Sequence, residues 1–172
     1  RPRTRAAVGV VPAFAISGDP GVTRNVTRRE LDLDGQRRGR GRLITSSRSG
    51  PEGMGWFAPE GRQEAHGMGG ALLKPLEDVG PEIEVGYHLA RAHWGQGYAS
   101  EAARELLRHG FEGLGLARIV AVVDPRNARS LAVVARLGMR RAGEVRCYGR
   151  DCLKFALERS ERAGYSGASP AR

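Results

Sequence analysis

Apolar positions follow two different periods through the middle of the chain, and these periods predict its elements. Residues 84–89 and 119–123 are short runs that are typical of strands, the second being rich in β-branched side chains. Between them, apolar residues recur at helical spacing over residues 103–114, which predicts an amphipathic helix. Because a helix separates the two strands, we expect them to be parallel neighbours in one sheet. A second helix is predicted over residues 128–137.

Small polar residues and glycines predict where these helices begin and end. Ser100 is suited to cap the start of the first helix, and Gly113 or Gly115 to end it. Asn127 is suited to cap the second helix, and Gly138 to close it. The order of elements is therefore strand, loop, helix, strand, helix.

A glycine-rich loop joins the first strand to the first helix, with Gly95 and Gly97 one residue apart. Glycine lets the backbone turn tightly, and the first-turn N–H groups of the following helix have no partner within the helix. The positive end of the helix dipole adds to their attraction for anions. The loop therefore predicts a binding site for a phosphate or pyrophosphate group.

A dinucleotide-binding unit is one alternative for this layout, and the residues favour it less. Asp124 ends the second strand, as such a unit requires. However, Ser100 stands at the position of the third glycine, and five residues separate Leu89 from Gly95. Pro125 and the Asn127 helix start have no role in such a unit.

The residues around the loop resemble an acetyltransferase superfamily instead. Residues 84–87 and 94–102 resemble the acetyl-CoA motif of the GNAT superfamily of N-acetyltransferases, in its RimJ/RimL-like (ribosomal-protein alanine acetyltransferase) branch. Residues 127–130 resemble that branch's Asn-x-x-Ser signature, and residues 137–139 its Leu-Gly-Phe signature. The resemblance extends over about residues 56–159.

The resemblance implies an α/β (α+β) GNAT fold, in which helices flank a central mixed sheet. Two splayed parallel strands, here residues 84–89 and 118–123, would hold acetyl-CoA between them, and the glycine loop would bind the CoA pyrophosphate. Acetyl-CoA would be the acetyl donor, and no metal is implied. The residues expected to bind it are Leu89, Gly95, Gln96, Gly97, Tyr98, Ala99, Ser100 and Asn127.

Transfer of an acetyl group to an amine requires a base for the amine and, for the departing thiolate, a proton. Glu84 is the predicted base because it lies on the strand before the loop, and we expect it to act through a water molecule. The alternative is that Glu84 is a strand residue on the solvent face. Glu82 is the second candidate for the base.

The proton donor is harder to assign. Many superfamily members use a tyrosine on the second helix, and Val134 stands at that position here. Ser130 is the matching hydroxyl in the resembled branch, although it could equally serve only as a hydrogen-bonding residue at the helix start. Tyr148 is a further alternative.

Length and composition predict one domain in a cytoplasmic protein. The 172 residues are 40% hydrophobic, and no run is long enough to span a bilayer. Cys147 and Cys152 would lie opposite each other if Gly149-Arg150 formed a hairpin turn. We expect both thiols to be reduced. The four histidines are scattered, so we expect no metal site.

The positive charge is concentrated at one end. The net charge is +9, and residues 1–50 contain eleven Arg and four acidic residues. One expectation is that this basic segment binds RNA or a ribosomal protein. The other, which we favour, is that it is a solvated stretch with no partner. Residues 21–53 lack a repeating apolar face, so we expect them to be poorly ordered.

The predicted divisions are a divergent segment at 1–55, a core at 56–160 and a flexible tail at 161–172.

Three functions follow from these observations. The first, which we favour, is acetyl-CoA-dependent transfer of an acetyl group to a primary amine, either a protein N-terminus or a small molecule. The second is binding of acetyl-CoA without efficient transfer, and the third is association with RNA or the ribosome through the basic segment. The protein is expected to be a monomer or homodimer that does not associate with membranes.

Overall fold

The computed structural model describes residues 22, 52–57, 69–76 and 79–164, and strands of the later three ranges form one six-stranded sheet. The strands are β1 Gly55–Phe57, β2 Gly69–Pro75, β3 Ile83–Leu89, β4 Arg118–Val123, β5 Arg140–Cys147 and β6 Arg150–Glu158. The α-helices are α1 Tyr98–Arg108 and α2 Ala128–Arg136, with shorter 3-10 turns at Arg91–His93 and Arg159–Gly164. The strand order across the sheet is β1-β2-β3-β4-β6-β5. The predicted mixed sheet with flanking helices is confirmed.

The parallel pair lies at the centre of the sheet and separates along its length. β3 and β4 are paired through one register position, Glu84 opposite Val120. Their antiparallel neighbours are paired along most of their length, with seven positions between β2 and β3 and six between β4 and β6. β3 and β4 therefore diverge beyond Glu84, towards the ends that lead into α1 and α2.

The first helix packs on one face of the sheet and begins two residues earlier than its predicted cap. Gly97, in a left-handed conformation, is the N-terminal cap residue. The prediction that Ser100 caps this helix is wrong, because Ser100 is the third helical residue and is buried. The face of α1 that packs against the sheet is formed by buried apolar side chains. They include Ala103, Leu106 and Leu107, together with Phe111 beyond the helix end.

The end of the first helix differs from a continuous α-helix. After Arg108 the chain makes one wider π turn, His109–Gly113. A Cβ at Gly110 would lie 2.5 Å from Ile119 Cδ1, so only glycine allows this turn to approach β4 so closely. Gly115 follows with φ of 70°, a conformation that favours glycine.

The predicted start and end of the second helix are both confirmed. The Asn127 side chain accepts a hydrogen bond from Ser130 N at 3.1 Å, as an N-terminal cap does. At the other end, Gly138 N donates to Ala135 O and Met139 N donates to Val134 O. With Gly138 at φ of 67°, this pair of bonds is the Schellman closure of a helix.

The last two strands form the predicted hairpin, but its turn lies one residue earlier than expected. Cys147 pairs with Arg150, so the turn residues are Tyr148 and Gly149. Both have positive φ, as a two-residue type I′ hairpin turn requires. The cysteines are therefore not directly opposite each other, since Val145 is the partner of Cys152. Both are free and buried.

Strand β1 pairs with β2 antiparallel, and residues 58–68, which join them, lie outside the described residues. The predictions for residues 1–51 also lie outside them, apart from residue 22. Among the described helices, none is both long and apolar enough to cross a membrane. The same part of the chain contains no group of three or more His, Cys, Asp or Glu side chains placed to hold a metal ion.

Candidate active site

The loop before α1 has the geometry of an anion-binding turn. Gly95 and Gly97 have φ of 77° and 87°, which side chains other than glycine rarely adopt. A Cβ at either glycine would have no heavy atom within 4 Å, so the space above the loop is open. The first hydrogen bond inside the helix is donated by Glu101 N to Gly97 O at 3.0 Å. The N–H groups of residues 98–100 therefore point beyond the end of the helix, where they can meet an anion.

Hydrogen bonds and cation–π contacts hold this loop against its surroundings. Trp94 Nε1 donates to Leu89 O at 2.9 Å, which ties the loop to the end of β3. The guanidinium carbons of Arg91 and Arg129 lie 5.8 and 4.8 Å from the Trp94 ring centre. Two positive charges are therefore fixed beside the loop, one of them carried by α2. Sequence reasoning had given neither Trp94 nor Arg129 a role, although both lie inside the motifs that it used.

The predicted cofactor-binding residues of the loop present backbone more than side chain. Leu89 and Ser100 are buried, and Ala99 packs against the core. Gln96 is exposed, and its Nε2 donates to Ala92 O at 2.9 Å. Tyr98 is half-buried, with its ring edge-on to His93. An anion above the loop would therefore meet chiefly the amides and glycines.

Asn127, Ser130 and Tyr87 are brought together beside the gap between β3 and β4. Asn127 Nδ2 donates to Ser130 Oγ at 2.9 Å, so both ends of the Asn127 amide are engaged with Ser130. From β3, the Tyr87 hydroxyl donates to the backbone oxygen of Ser130 at 3.3 Å. Burial raises the pKa of Tyr87 to about 12, so the phenol stays neutral. The predicted roles of Asn127 towards pantetheine and of Ser130 as proton donor stay predictions.

Glu84 is buried rather than on a solvent face, and it lies in a group of three polar side chains. The Tyr148 hydroxyl donates to Glu84 Oε1 at 2.6 Å. Lys74 is the cross-strand neighbour of Glu84, and its Nζ lies 5.2 Å from the centre of the Tyr148 ring. We call Lys74, Glu84 and Tyr148 the Glu84 cluster. It lies at the one position where β3 and β4 are paired.

The other predicted acid–base candidates are placed differently. Glu82 lies just before β3 and forms ion pairs with Lys154 at 3.0 Å and Arg118 at 3.4 Å. Val134 is buried in the core on the helix side of the sheet, where an apolar side chain is expected. His88 lies on β3, four residues after Glu84. Burial, and to a smaller extent the positive charge of Lys74, lower the pKa of His88 to about 4. Its imidazole is therefore neutral near pH 7.

The two thiols behind the hairpin turn are protonated near neutral pH. Burial is the main cause that raises the pKa of Cys147 to about 12, and the neighbouring Cys152 adds to it. Burial also raises the pKa of Cys152. Since the thiolate is the reactive form of cysteine, neither group is suited to act as a nucleophile here.

A buried carboxylate connects the end of β4 to the start of β6. Asp124 Oδ2 lies 3.1 Å from Arg150 Nη1, and both side chains are almost fully buried. Arg126, which is largely exposed, also contacts Asp124 through Nε and Nη2 at 3.0 and 2.8 Å. The hydrogen bond from Arg126, with a smaller contribution from the charge of Arg150, holds the pKa of Asp124 well below its usual range. This contact fixes the residue that directly follows the Tyr148-Gly149 turn.

The sheet, the separated parallel strands and the glycine loop together define an acetyltransferase-type fold. Residues 3–140 match the model of the acetyltransferase (GNAT) domain family. The chain therefore belongs to the GNAT acetyltransferase family. This match includes most of the predicted segment 1–55 and ends at the start of β5.

Known proteins agree with that assignment. The p20 protein of Bacillus licheniformis, described as an uncharacterized N-acetyltransferase, is 42% identical over 95 residues, which are 52% of this chain and 53% of p20. The chain spans about half the length of the curated relatives that it matches.

Solved structures resemble the chain over more of its length. An acetyltransferase from Agrobacterium tumefaciens C58 is 26% identical, with a TM-score of 0.71, and the match covers 92% of this chain and 88% of that one. RimJ of Mycobacterium smegmatis, in complex with CoA-disulfide, is 22% identical with a TM-score of 0.64. That match covers 92% of this chain and 86% of RimJ, and it shows a shared fold.

Proposed function

We propose that this protein is an acetyl-CoA-dependent N-acetyltransferase that moves an acetyl group directly to a primary amine. Two neighbouring features carry the proposal. β3 and β4 separate after one paired position, and the loop that follows β3 leads into α1, whose first amides are directed out of the helix end. The gap between the two strands offers a place for pantetheine, and the loop offers donors for the CoA pyrophosphate. The family relationship supports the same assignment.

The residues at the loop fit a CoA phosphate group. Open space above Gly95 and Gly97 leaves room for the phosphates to approach the backbone. The amides of residues 98–100 and the positive end of the α1 dipole supply attraction. Arg91 and Arg129, held against Trp94, add two positive charges at the rim of the loop.

Glu84 fits the role of general base for the acceptor amine. An ammonium group must lose a proton before its nitrogen can attack the thioester carbon. Glu84 is at the pairing position where the gap between β3 and β4 begins, and its carboxylate is held by Tyr148 at 2.6 Å. In this position it can accept the amine proton, directly or through a water molecule. The acceptor proposed is a protein N-terminus or a small-molecule amine.

The function can be tested by measuring binding and transfer separately. Calorimetry with acetyl-CoA reports binding, and release of free CoA thiol in the presence of a panel of primary amines reports transfer. We expect saturable binding, together with thiol release that depends on the amine. Binding without amine-dependent thiol release across the panel would instead favour an acetyl-CoA-binding protein that does not transfer.

We infer that the chain lies within the RimJ/RimL-like branch, on the strength of its Asn127 to Ser130 motif and its Trp-Gly-Gln-Gly-Tyr loop. The acceptor would then be the N-terminal amine of a ribosomal protein, and the enzyme would act in the cytoplasm. Peptides with the N-terminal sequences of ribosomal proteins should be acetylated with higher kcat/KM than small amines. A preference for small amines would place the protein in another branch of the family.

Replacing Gly97 with Glu should weaken acetyl-CoA binding about tenfold or more, since a carboxylate would enter the space proposed for the pyrophosphate. Gly115→Glu is the matched control. Gly115 also has positive φ and open space around it, but it follows the far end of the first helix. The Gly115→Glu substitution therefore introduces similar backbone strain and the same charge, but away from the glycine loop. Calorimetry on both folded variants checks the prediction, and equal affinities in the two would exclude the loop as the binding site.

A further inference from the structure

Tyr148 combines an unusual backbone conformation with a contact to the proposed base. Its φ is 51°, and it is the one residue other than glycine with positive φ among those that the structure describes. A bulky side chain in this region is costly, and such conformations concentrate at functional sites. The turn that imposes the conformation also presents the Tyr148 ring to the sheet face that carries Glu84.

Three contacts fix the position of the Tyr148 hydroxyl. The hydroxyl donates to Glu84 Oε1 at 2.6 Å, and Lys74 Nζ lies 5.2 Å from the centre of the ring. The ring also packs against the small apolar cluster around Val120, the β4 partner of Glu84. From the far side, the ion pair of Arg150 with Asp124 holds the end of the turn. The phenol is therefore directed to the position where the β3–β4 gap begins.

We propose that Tyr148 is the proton donor to the departing CoA thiolate, and that Tyr148 and Glu84 form a two-residue proton relay. This inference rests on the function proposed above. In that reaction the ammonium nitrogen loses two protons, of which one must reach the sulfur and one is released to solvent, so a connected base and acid can pass the first proton from the amine to the sulfur. Tyr148 and Glu84 are such a connected pair.

The steps balance as follows. Glu84 accepts a proton from the ammonium group of the acceptor, and the amine lone pair then forms the N–C bond. The nitrogen of the resulting tetrahedral intermediate gives up one further proton to solvent water, and this is the one proton that acetylation of an ammonium group by a thioester releases overall. The C–S bond breaks, the sulfur takes the Tyr148 O–H proton, and the phenolate takes the proton from Glu84. Both side chains return to their starting forms.

The other hydroxyl candidate is less well placed for this step. Ser130 Oγ accepts from Asn127 Nδ2, and the residue is held at the start of α2. An aliphatic hydroxyl is also a much weaker acid than a phenol. Val134, at the position where many superfamily members carry a tyrosine, is buried in the core and has no proton to donate. Of these three positions, Tyr148 alone joins an acidic proton to the proposed base.

The test is Tyr148→Phe, which keeps the ring and removes the hydroxyl. We expect kcat for amine-dependent thiol release to fall about tenfold or more, while the acetyl-CoA dissociation constant changes less than about twofold. Ser130→Ala should retain a higher kcat than Tyr148→Phe. Thermal melting checks folding, and Tyr148→Asn, which tolerates left-handed backbone, is a second variant without the phenol.

A double variant separates a relay from a structural contact. If the two residues act as one unit, Glu84→Gln with Tyr148→Phe should have about the same kcat as Glu84→Gln alone. Lys74 on β2 and Cys147 on β5 also face Glu84, and both are unchanged in these variants.

The outcomes distinguish this inference from the proposed function. An unchanged kcat in Tyr148→Phe, fully additive losses in the double variant, or a lower kcat in Ser130→Ala would overturn the relay while leaving the transferase intact. If the wild-type protein binds acetyl-CoA and releases no thiol with any amine, the transferase function fails and the relay fails with it.

Discussion

Glu84→Gln should lower the turnover number by about 10²-fold or more, with little change in the affinity for acetyl-CoA. Glutamine keeps the shape of the side chain and can still accept the hydrogen bond from Tyr148, but it cannot take a proton from the amine. Because Glu84 lies at the start of the β3–β4 gap rather than at the glycine loop, its loss should affect transfer and not binding. Steady-state kinetics at saturating acetyl-CoA, with calorimetry for affinity, measures the two effects separately.

Glu82→Gln is the matched control for this substitution. Glu82 lies two residues earlier and is held by Lys154 and Arg118, so removal of its charge should disturb these two ion pairs and leave most of the turnover. The rate of Glu84→Gln should also lose the dependence on pH that a titrating base produces. A variant Glu84→Gln with wild-type turnover, or a larger loss in Glu82→Gln, would assign the base to Glu82.

The features that sequence predicted well are those fixed by neighbouring residues. Gly95 and Gly97 have positive φ, for which glycine is the favoured residue, and Asn127 caps α2 because its side chain can reach an amide three residues later. Gly138 closes the same helix for a similar local reason. The β-branched strand β4 is buried through most of its length, as its composition indicates.

The start of α1 and the last hairpin turn were less accessible to sequence reasoning. Ser100 has the composition of a cap residue, but Gly97 already ends the loop, so Ser100 lies inside the helix and is buried. The hairpin turn was expected at Gly149-Arg150 because glycine is the usual residue for a turn. Tyrosine carries no local signal for left-handed backbone, so the sequence did not indicate that Tyr148 would occupy the turn and contact Glu84.

The composition of the Glu84 cluster depends on contacts between distant parts of the chain. Tyr148 and Glu84 are 64 residues apart, and Asp124 and Arg150 are 26 residues apart. No period or motif links these positions, because the pairings are set by which strands become neighbours in the sheet. The order β3-β4-β6-β5 brings the hairpin turn back to the central strands. The base could therefore be predicted from its strand, while its hydrogen-bond donor required the fold.

Asp124→Asn should lower the free energy of unfolding by about 3 kcal/mol at neutral pH, because it removes one member of a buried ion pair. Asp124 and Arg150 are both almost fully buried, and their contact joins the end of β4 to the start of β6. Asparagine preserves the shape but carries no charge to offset the desolvation of the guanidinium. Arg126→Gln is the control, because Arg126 is 82% exposed and solvent screens its contact with Asp124, so its loss should cost less stability than the loss of Asp124.

The effect of Asp124→Asn should depend on pH in a defined direction. The pKa of Asp124 is lowered in the folded protein, first by the hydrogen bond from Arg126, relative to its ordinary value of 3.8. The carboxylate therefore contributes stability that is complete above the ordinary value and is lost as the pH falls towards the folded pKa. Urea denaturation of wild type, Asp124→Asn and Arg126→Gln at pH 7 and near pH 3 measures these differences. The gap between wild type and Asp124→Asn should narrow at the lower pH, and a gap that is absent at pH 7 or widens on acidification would show that this ion pair does not stabilise the hairpin.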